Sequence, residues 1–100
     1  MTIEYLTRNK KNIAYSANAG GAFTLVFLGG FMSDMMGSKA THLEDWAKKN
    51  HYGFLRFDYS GHGQSSGVFE SCNISDWVED SYEIITKKTK GPIILIGSSM

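Results

Sequence analysis

Three short segments of the chain are rich in apolar side chains: residues 23–28, 54–59 and 93–96. Each is too short for a helix of ordinary length, and nearly continuous hydrophobicity is typical of strands buried on both faces of a parallel sheet. Nearer the amino terminus, residues 3–7 and 13–17 flank a five-residue polar turn, RNKKN. This pair predicts an antiparallel hairpin at the edge of the sheet.

Between the predicted strands, apolar residues recur every three or four positions, which is the spacing of an amphipathic helix. The first such segment covers residues 39–50, and Trp46 widens its apolar stripe. In the second segment, Ser75 supplies a capping side chain at the helix start, the acid Asp76 follows in the first turn, and Gly91-Pro92 ends the helix. The apolar residues that support these two helices are Ala40, Leu43 and Ala47, then Ile74, Trp77, Val78, Tyr82 and Ile85.

The order of these elements predicts an α/β fold, in which an antiparallel hairpin leads into a mostly parallel sheet with helices on both faces. Right-handed crossovers place the two helices on opposite faces if the chain reverses direction after residues 54–59, which leaves residues 23–28 in the middle. Ligands bind at such a reversal, beyond the carboxyl ends of the strands. Glycine-bearing loops follow all three strands, at Gly29, Gly61 and Gly97.

Composition narrows the class of protein. The 100 residues are 42% hydrophobic, with ten acidic and ten basic side chains, which favours one globular unit and provides no basic surface for nucleic acid. The first residues have neither the apolar core of a secretory signal nor the length of a membrane span. The single cysteine, Cys72, and three scattered histidines offer no metal-site spacing. We therefore expect a cytoplasmic protein without metal or organic cofactor, nucleic-acid partner or membrane span.

The last predicted strand runs into Gly97, Ser98, Ser99 and Met100. A nucleophile elbow, the tight strand-to-helix turn that exposes a reactive serine, needs small residues two positions before and two positions after that serine. Ser98 has bulky residues at both positions, whereas Ser99 has Gly97 before it, so Ser99 is the candidate nucleophile. The alternative interpretation is an ordinary Gly-Ser-Ser turn that ends a strand.

A serine hydrolase also needs backbone amides that stabilise the oxyanion. One belongs to the residue after the nucleophile, here Met100, and the other to the loop after residues 23–28. Gly29 and Gly30 let this loop turn closely beneath a ligand, so the amide of Phe31 is the candidate second donor. The same two glycines also fit an ordinary strand-ending turn.

Three stretches, in this order and spacing, resemble the α/β-hydrolase superfamily: FLGGFMSDMMGSKA, FLRFDYSGHGQSSG and GPIILIGSSM. They look most like the branch that contains mycophenolic acid acyl-glucuronide esterase and palmitoyl-protein thioesterase. The resemblance covers essentially the whole chain but only the leading part of that domain. It implies that residues 1–100 are the N-terminal part of a single α/β-hydrolase domain and end inside the nucleophile elbow.

The resemblance further implies a serine hydrolase that cleaves a small-molecule ester or thioester, or an acylated protein, through an acyl-enzyme. The family's acid and histidine follow the serine, so residues 1–100 alone are expected to be inactive. Within the chain, Asp34, Asp58 and His62 lie near strand ends, but a triad base must be oriented by its own acid. We expect His62 to pack in its loop and Asp58 to accept amide hydrogens there. The methionines that either line an acyl pocket or cover the sheet are Met32, Met35 and Met36.

Two other functional classes stay open. The sequence GHGQSSG approaches a dinucleotide-binding fingerprint, but Ser66 stands where the third glycine belongs, and residues 69–73 separate the loop from the next helix. The other alternative is a non-catalytic interaction scaffold, because a fold does not determine a function.

Overall fold

The computed structural model describes residues 1–99, which form one mixed five-stranded sheet with two α-helices and a short 3₁₀-helix. The sheet order is β1-β2-β4-β3-β5, and the predicted α/β architecture is confirmed. The strands are β1 (Glu4–Arg8), β2 (Lys11–Asn18), β3 (Thr24–Leu28), β4 (Gly53–Phe57) and β5 (Ile93–Gly97), and the helices are α1 (Ser38–Lys49), α2 (Ile74–Lys88) and the 3₁₀-helix Phe69–Ser71.

Strands β1 and β2 form the predicted antiparallel hairpin, with Arg8 opposite Lys11. The two residues between them, Asn9 and Lys10, have positive φ angles of 47° and 66°, the combination that a type I′ turn requires. The turn therefore has two residues, whereas the sequence predicted a turn of five polar residues. Strand β2 then joins the hairpin to the rest of the sheet by pairing antiparallel to β4.

Strand β3 lies between β4 and β5 and is parallel to both, so the chain reverses direction after β4 as predicted. On one face of the sheet, Leu25 packs in a core with Ala40 of α1. On the other face, Val26 packs with Trp77 and Ile84 of α2. Because consecutive residues of a strand point to opposite faces, the two helices cover opposite faces of the sheet.

The start of α2 differs in detail from the prediction. Asn73 is the N-cap: its side chain accepts a hydrogen bond from the Asp76 amide, and the Asp76 carboxylate accepts one from the Asn73 amide. This reciprocal capping box satisfies two amides that a helix start otherwise leaves unpaired. The prediction that Ser75 caps the helix is wrong, because the helix begins at Ile74 and Ser75 already lies in its first turn.

Part of the apolar pattern is not buried within residues 1–99. Strand β5 is an edge strand of the sheet, with Ile94 and Leu95 exposed by 45% and 55%. On α2, Val78 and Tyr82 are exposed by 60% and 69%, although both belong to the predicted apolar stripe. An apolar groove of about 370 Å³ runs between α2 and β5.

Candidate active site

The carboxyl ends of the parallel strands bring three segments together. They are the β3 loop (residues 29–37), the β4 loop (residues 58–68) and the two serines after β5. The Ser98 amide donates to the Leu28 carbonyl at 3.0 Å, and the Phe31 amide donates to the Ser99 carbonyl at 2.8 Å. The β3–β5 pairing thus continues beyond the strands and places Phe31 beside Ser99.

The two candidate serines have different surroundings. Ser99 is exposed. The hydroxyl of Ser98 is within 3.2 Å of the Lys39 ammonium group, which donates to it from the first turn of α1. A Cβ atom built on Gly97 would meet nothing within 4 Å among residues 1–99. The crowding that a nucleophile elbow imposes at this glycine is therefore not produced by the described residues.

The Phe31 amide is occupied, because it donates to the main-chain carbonyl of Ser99, the candidate nucleophile. For this amide to bind an oxyanion, the Ser99 carbonyl must turn away from it. Gly30 makes the approach possible, since a Cβ atom there would lie 2.5 Å from the Ser99 carbonyl oxygen. The second candidate donor, Met100, lies outside the described residues.

Side chains of β4 and the β4 loop hold the backbone of the β3 loop in place. The Tyr59 hydroxyl donates to the Gly29 carbonyl at 2.9 Å. Asp58 Oδ1 accepts the Met35 amide at 2.7 Å, and Arg56 Nη1 donates to the Met35 carbonyl at 3.1 Å. Burial raises the pKa of Tyr59 to about 12, so the phenol remains a donor even at moderately alkaline pH.

Asp58 accepts the Gln64 amide of its own loop at 2.9 Å, which confirms the role predicted for it. Its bond to the Met35 amide, in a different loop, was not predicted. Burial raises the pKa of the Asp58 carboxyl above its usual value, while the Gln64 and Met35 amide hydrogen bonds oppose that shift. Gly63 has a φ of 46°, and any side chain there would collide with the Asp58 carboxylate.

A buried ion pair lies beneath the β3 loop. Arg56 Nη2 is 3.1 Å from Glu44 Oε1, with side chains only 4% and 6% exposed. The second Glu44 oxygen accepts from the Asn18 side chain at 3.0 Å. The sequence carried a signal for this pair, because Arg56 interrupts an apolar strand and Glu44 falls on the α1 face defined by Ala40 and Ala47.

His62 packs in the β4 loop as predicted and is only 4% exposed. Its Nε2 lies 3.2 Å from the Met32 amide and its Nδ1 lies 3.2 Å from the Ser60 carbonyl. Asp34 is exposed and accepts the Met36 amide within its own loop at 2.9 Å. The His62 ring and the Asp34 and Asp58 carboxylates, which were considered as substitutes for a triad, are therefore all hydrogen-bonded to loop backbone.

The three methionines of the β3 loop do not form one exposed surface. Met35 is 1% exposed, whereas Met32 and Met36 are 70% and 51% exposed. Met32 lines a cavity of about 170 Å³ together with His62 and Phe69. The acyl-pocket role considered for these methionines stays a prediction.

The chain is similar to known hydrolases over nearly all of its length, although no protein-family model matches it. The mitochondrial palmitoyl-protein thioesterase ABHD10 of Bos taurus is 38% identical over 100 residues, which are 99% of this chain and 33% of that protein. The Homo sapiens protein of the same name is 36% identical, with 99% and 33% covered. The chain thus spans about a third of the length of these curated relatives.

The comparison corrects the expected location. The similar thioesterases are named as mitochondrial, so the prediction of a cytoplasmic protein is wrong. Neutral net charge and a single cysteine suit any reducing compartment, and for that reason composition could not separate the two locations. No helix within residues 1–99 is long and apolar enough to cross a membrane.

The solved structure of mouse alpha/beta hydrolase domain-containing protein 10 superposes on the chain with a TM-score of 0.95 at 36% identity. The superposition covers 99% of this chain and 40% of the mouse protein. The superposed fold and the sequence similarity therefore indicate the same superfamily. The chain has the fold of the N-terminal portion of an α/β-hydrolase domain, and its resemblance to the branch that contains palmitoyl-protein thioesterase is confirmed.

Proposed function

We propose that the intact protein is a serine hydrolase that cleaves carboxylic ester or thioester bonds, with Ser99 as its nucleophile. The observation that supports this most directly is the 2.8 Å hydrogen bond between the Phe31 amide and the Ser99 carbonyl. It brings the candidate nucleophile and a candidate oxyanion donor together at the carboxyl end of the parallel strands, where ligands bind in open α/β sheets. The names of the similar proteins favour thioesters, including those of acylated proteins.

In this proposal, the Ser99 hydroxyl oxygen attacks the substrate carbonyl carbon, and a histidine supplied from outside residues 1–100 takes its proton. The bond to the leaving alcohol or thiol breaks, the histidine returns the proton to that group, and an acyl-enzyme is left. Water then attacks the acyl-enzyme and releases the free acid. This sequence of steps requires no metal ion or organic cofactor.

The oxyanion of each tetrahedral intermediate binds the amides of Phe31 and Met100. The Phe31 amide becomes free for this role when the Ser99 carbonyl, which it binds at 2.8 Å, turns away from it. Tyr59, Asp58 and Arg56 hold the flanking β3 loop through its backbone. Once the Ser99 carbonyl has turned away, a donor held in place by these contacts stabilises the developing charge.

Covalent labelling of the full-length protein with a fluorophosphonate probe tests the nucleophile. We expect the wild type and Ser98→Ala to be labelled, and Ser99→Ala to be unlabelled and to lose about 10³-fold or more in turnover of an acyl thioester. Ser98→Ala is the matched control, since it removes the neighbouring hydroxyl. Full turnover in Ser99→Ala would contradict the assignment, and no labelling of a folded wild type would favour a non-catalytic scaffold.

A further inference from the structure

We propose that His62 is a positioning residue, which as its neutral Nδ1–H tautomer fixes the turn at Met32 and so keeps the preceding amide, that of Phe31, directed toward Ser99. The proposal rests on the hydrolase function proposed above. It assigns His62 no contact with the substrate. The Phe31 amide has its orientation because the amide of the next residue, Met32, donates a hydrogen bond to His62 of the β4 loop.

The tautomer of His62 follows from its two partners. A backbone amide can only donate, so the Met32 amide at 3.2 Å requires Nε2 to be the acceptor. A carbonyl can only accept, so the Ser60 carbonyl at 3.2 Å requires the hydrogen to be on Nδ1. Both ring nitrogens are therefore used, and only the neutral Nδ1–H form satisfies both contacts.

Met32 is the position in the β3 loop that most needs an external support. Its φ is 59°, in the left-handed region that residues with a side chain adopt reluctantly. Its own side chain is 70% exposed and cannot anchor the turn by packing. The hydrogen bond from its amide to the buried His62 ring ties this turn to the β4 loop.

The imidazole ring is itself held in a rigid position. The ring centroids of Tyr59, Phe69 and Trp77 lie 5.5, 5.2 and 5.1 Å from that of His62, all in edge-to-face arrangements. The Phe31 ring packs edge-on against the same Phe69 and Trp77 at 5.2 and 5.9 Å. One aromatic cluster therefore positions both the Phe31 side chain and the histidine that holds the adjacent amide.

Substitutions in the full-length protein separate the hydrogen bond from the packing. His62→Phe keeps an aromatic ring in the cluster but removes the acceptor. His62→Gln keeps an acceptor for the Met32 amide and a donor for the Ser60 carbonyl. Both variants are compared with His42→Phe, a change at an exposed histidine of α1.

We expect His62→Phe to lower kcat for an acyl thioester by about ten- to a hundredfold, with KM within about twofold, because a displaced oxyanion donor weakens transition-state binding specifically. His62→Gln should lose clearly less than His62→Phe, and His42→Phe should match the wild type. A folded His62→Phe variant with wild-type kcat overturns the proposal. So does an equal loss of kcat in His62→Phe and His62→Gln, because packing alone would then explain it.

Two measurements do not depend on activity. Nitrogen NMR of the His62 ring should show the hydrogen on Nδ1, and the Met32 amide should exchange with solvent faster in His62→Phe than in the wild type. A hydrogen on Nε2, or unchanged exchange of the Met32 amide in His62→Phe, overturns the proposal whatever the activity of Ser99→Ala. Conversely, an inactive Ser99→Ala combined with an unaffected His62→Phe leaves the hydrolase function standing and removes the role of His62.

Discussion

The Phe31 amide donates a 2.8 Å hydrogen bond to the Ser99 carbonyl, and this contact joins the loop after β3 to the residue that follows β5 by two positions. The bond depends on how closely two backbone segments approach. Gly30, which is buried, lies at the point of closest approach. The geometry of the candidate site is therefore sensitive to a single added carbon atom at this position.

Gly30→Ala should impair catalysis far more than Gly29→Ala. A Cβ atom at Gly30 would lie 2.5 Å from the Ser99 carbonyl oxygen, whereas one at Gly29 would lie 3.9 Å from the Phe27 ring, an ordinary contact. We expect Gly30→Ala to lower kcat by roughly tenfold or more, since small displacements of oriented groups reduce rates strongly. Steady-state kinetics of the two full-length variants provide the test. Equal activities would show that the approach of Gly30 to Ser99 has no catalytic importance.

Glu44→Ala should destabilise the protein by about 3–5 kcal/mol, because it leaves the Arg56 guanidinium buried without its counter-charge. The neighbouring exposed residue provides the control, and Asp45→Ala should change stability by no more than about 0.5 kcal/mol. Urea unfolding of the intact protein measures both. Similar losses in the two variants would mean that the ion pair contributes little.

Tyr59 should make stability depend on alkaline pH. Its pKa rises from 10.0 to about 12 on burial, so the folded state retains a proton that the unfolded state releases. The contribution of the protonated phenol is complete below pH 10 and is lost as the pH rises toward 12. The difference in unfolding free energy between wild type and Tyr59→Phe should therefore shift against the wild type across this range. A difference that stays constant between pH 9 and about 11.5 would contradict the raised pKa.

Residues 1–100 alone should self-associate and should not hydrolyse a p-nitrophenyl ester. Strand β5 is an edge strand with Ile94 and Leu95 exposed, and such edges pair with other chains. Leu95→Lys should reduce the association in sedimentation velocity experiments, whereas Val68→Lys, a change at an exposed residue of the β4 loop, should not. A monomeric wild-type chain with a cooperative thermal transition would contradict this prediction.

The sequence by itself determined the order and type of the elements. Hydrophobic periodicity is a local property, so the buried strand β3 and the amphipathic helix α1 could be recognised from neighbouring residues alone. The placement of the helices on opposite faces followed from the general handedness of crossovers. Gly97 favoured Ser99 over Ser98 as the candidate nucleophile, because it lies two positions before Ser99. The order and spacing of three motifs indicated the hydrolase superfamily. The cap of α2 was misassigned to Ser75 because several polar residues near the helix start satisfy the same local rule.

Only the tertiary structure decided which distant residues meet. The partners Phe31 and Ser99 are far apart in sequence, as are His62 and Met32, and each contact exists because β3 lies between β4 and β5 with all three carboxyl ends aligned. Arg56 meets Glu44 because α1 packs against β4. Hydrogen bonds are satisfied within tenths of an ångström, whereas a sequence pattern specifies faces and ends of elements. For that reason the fold and the candidate nucleophile could be predicted, while the contacts that position the β3 loop required the assembled sheet.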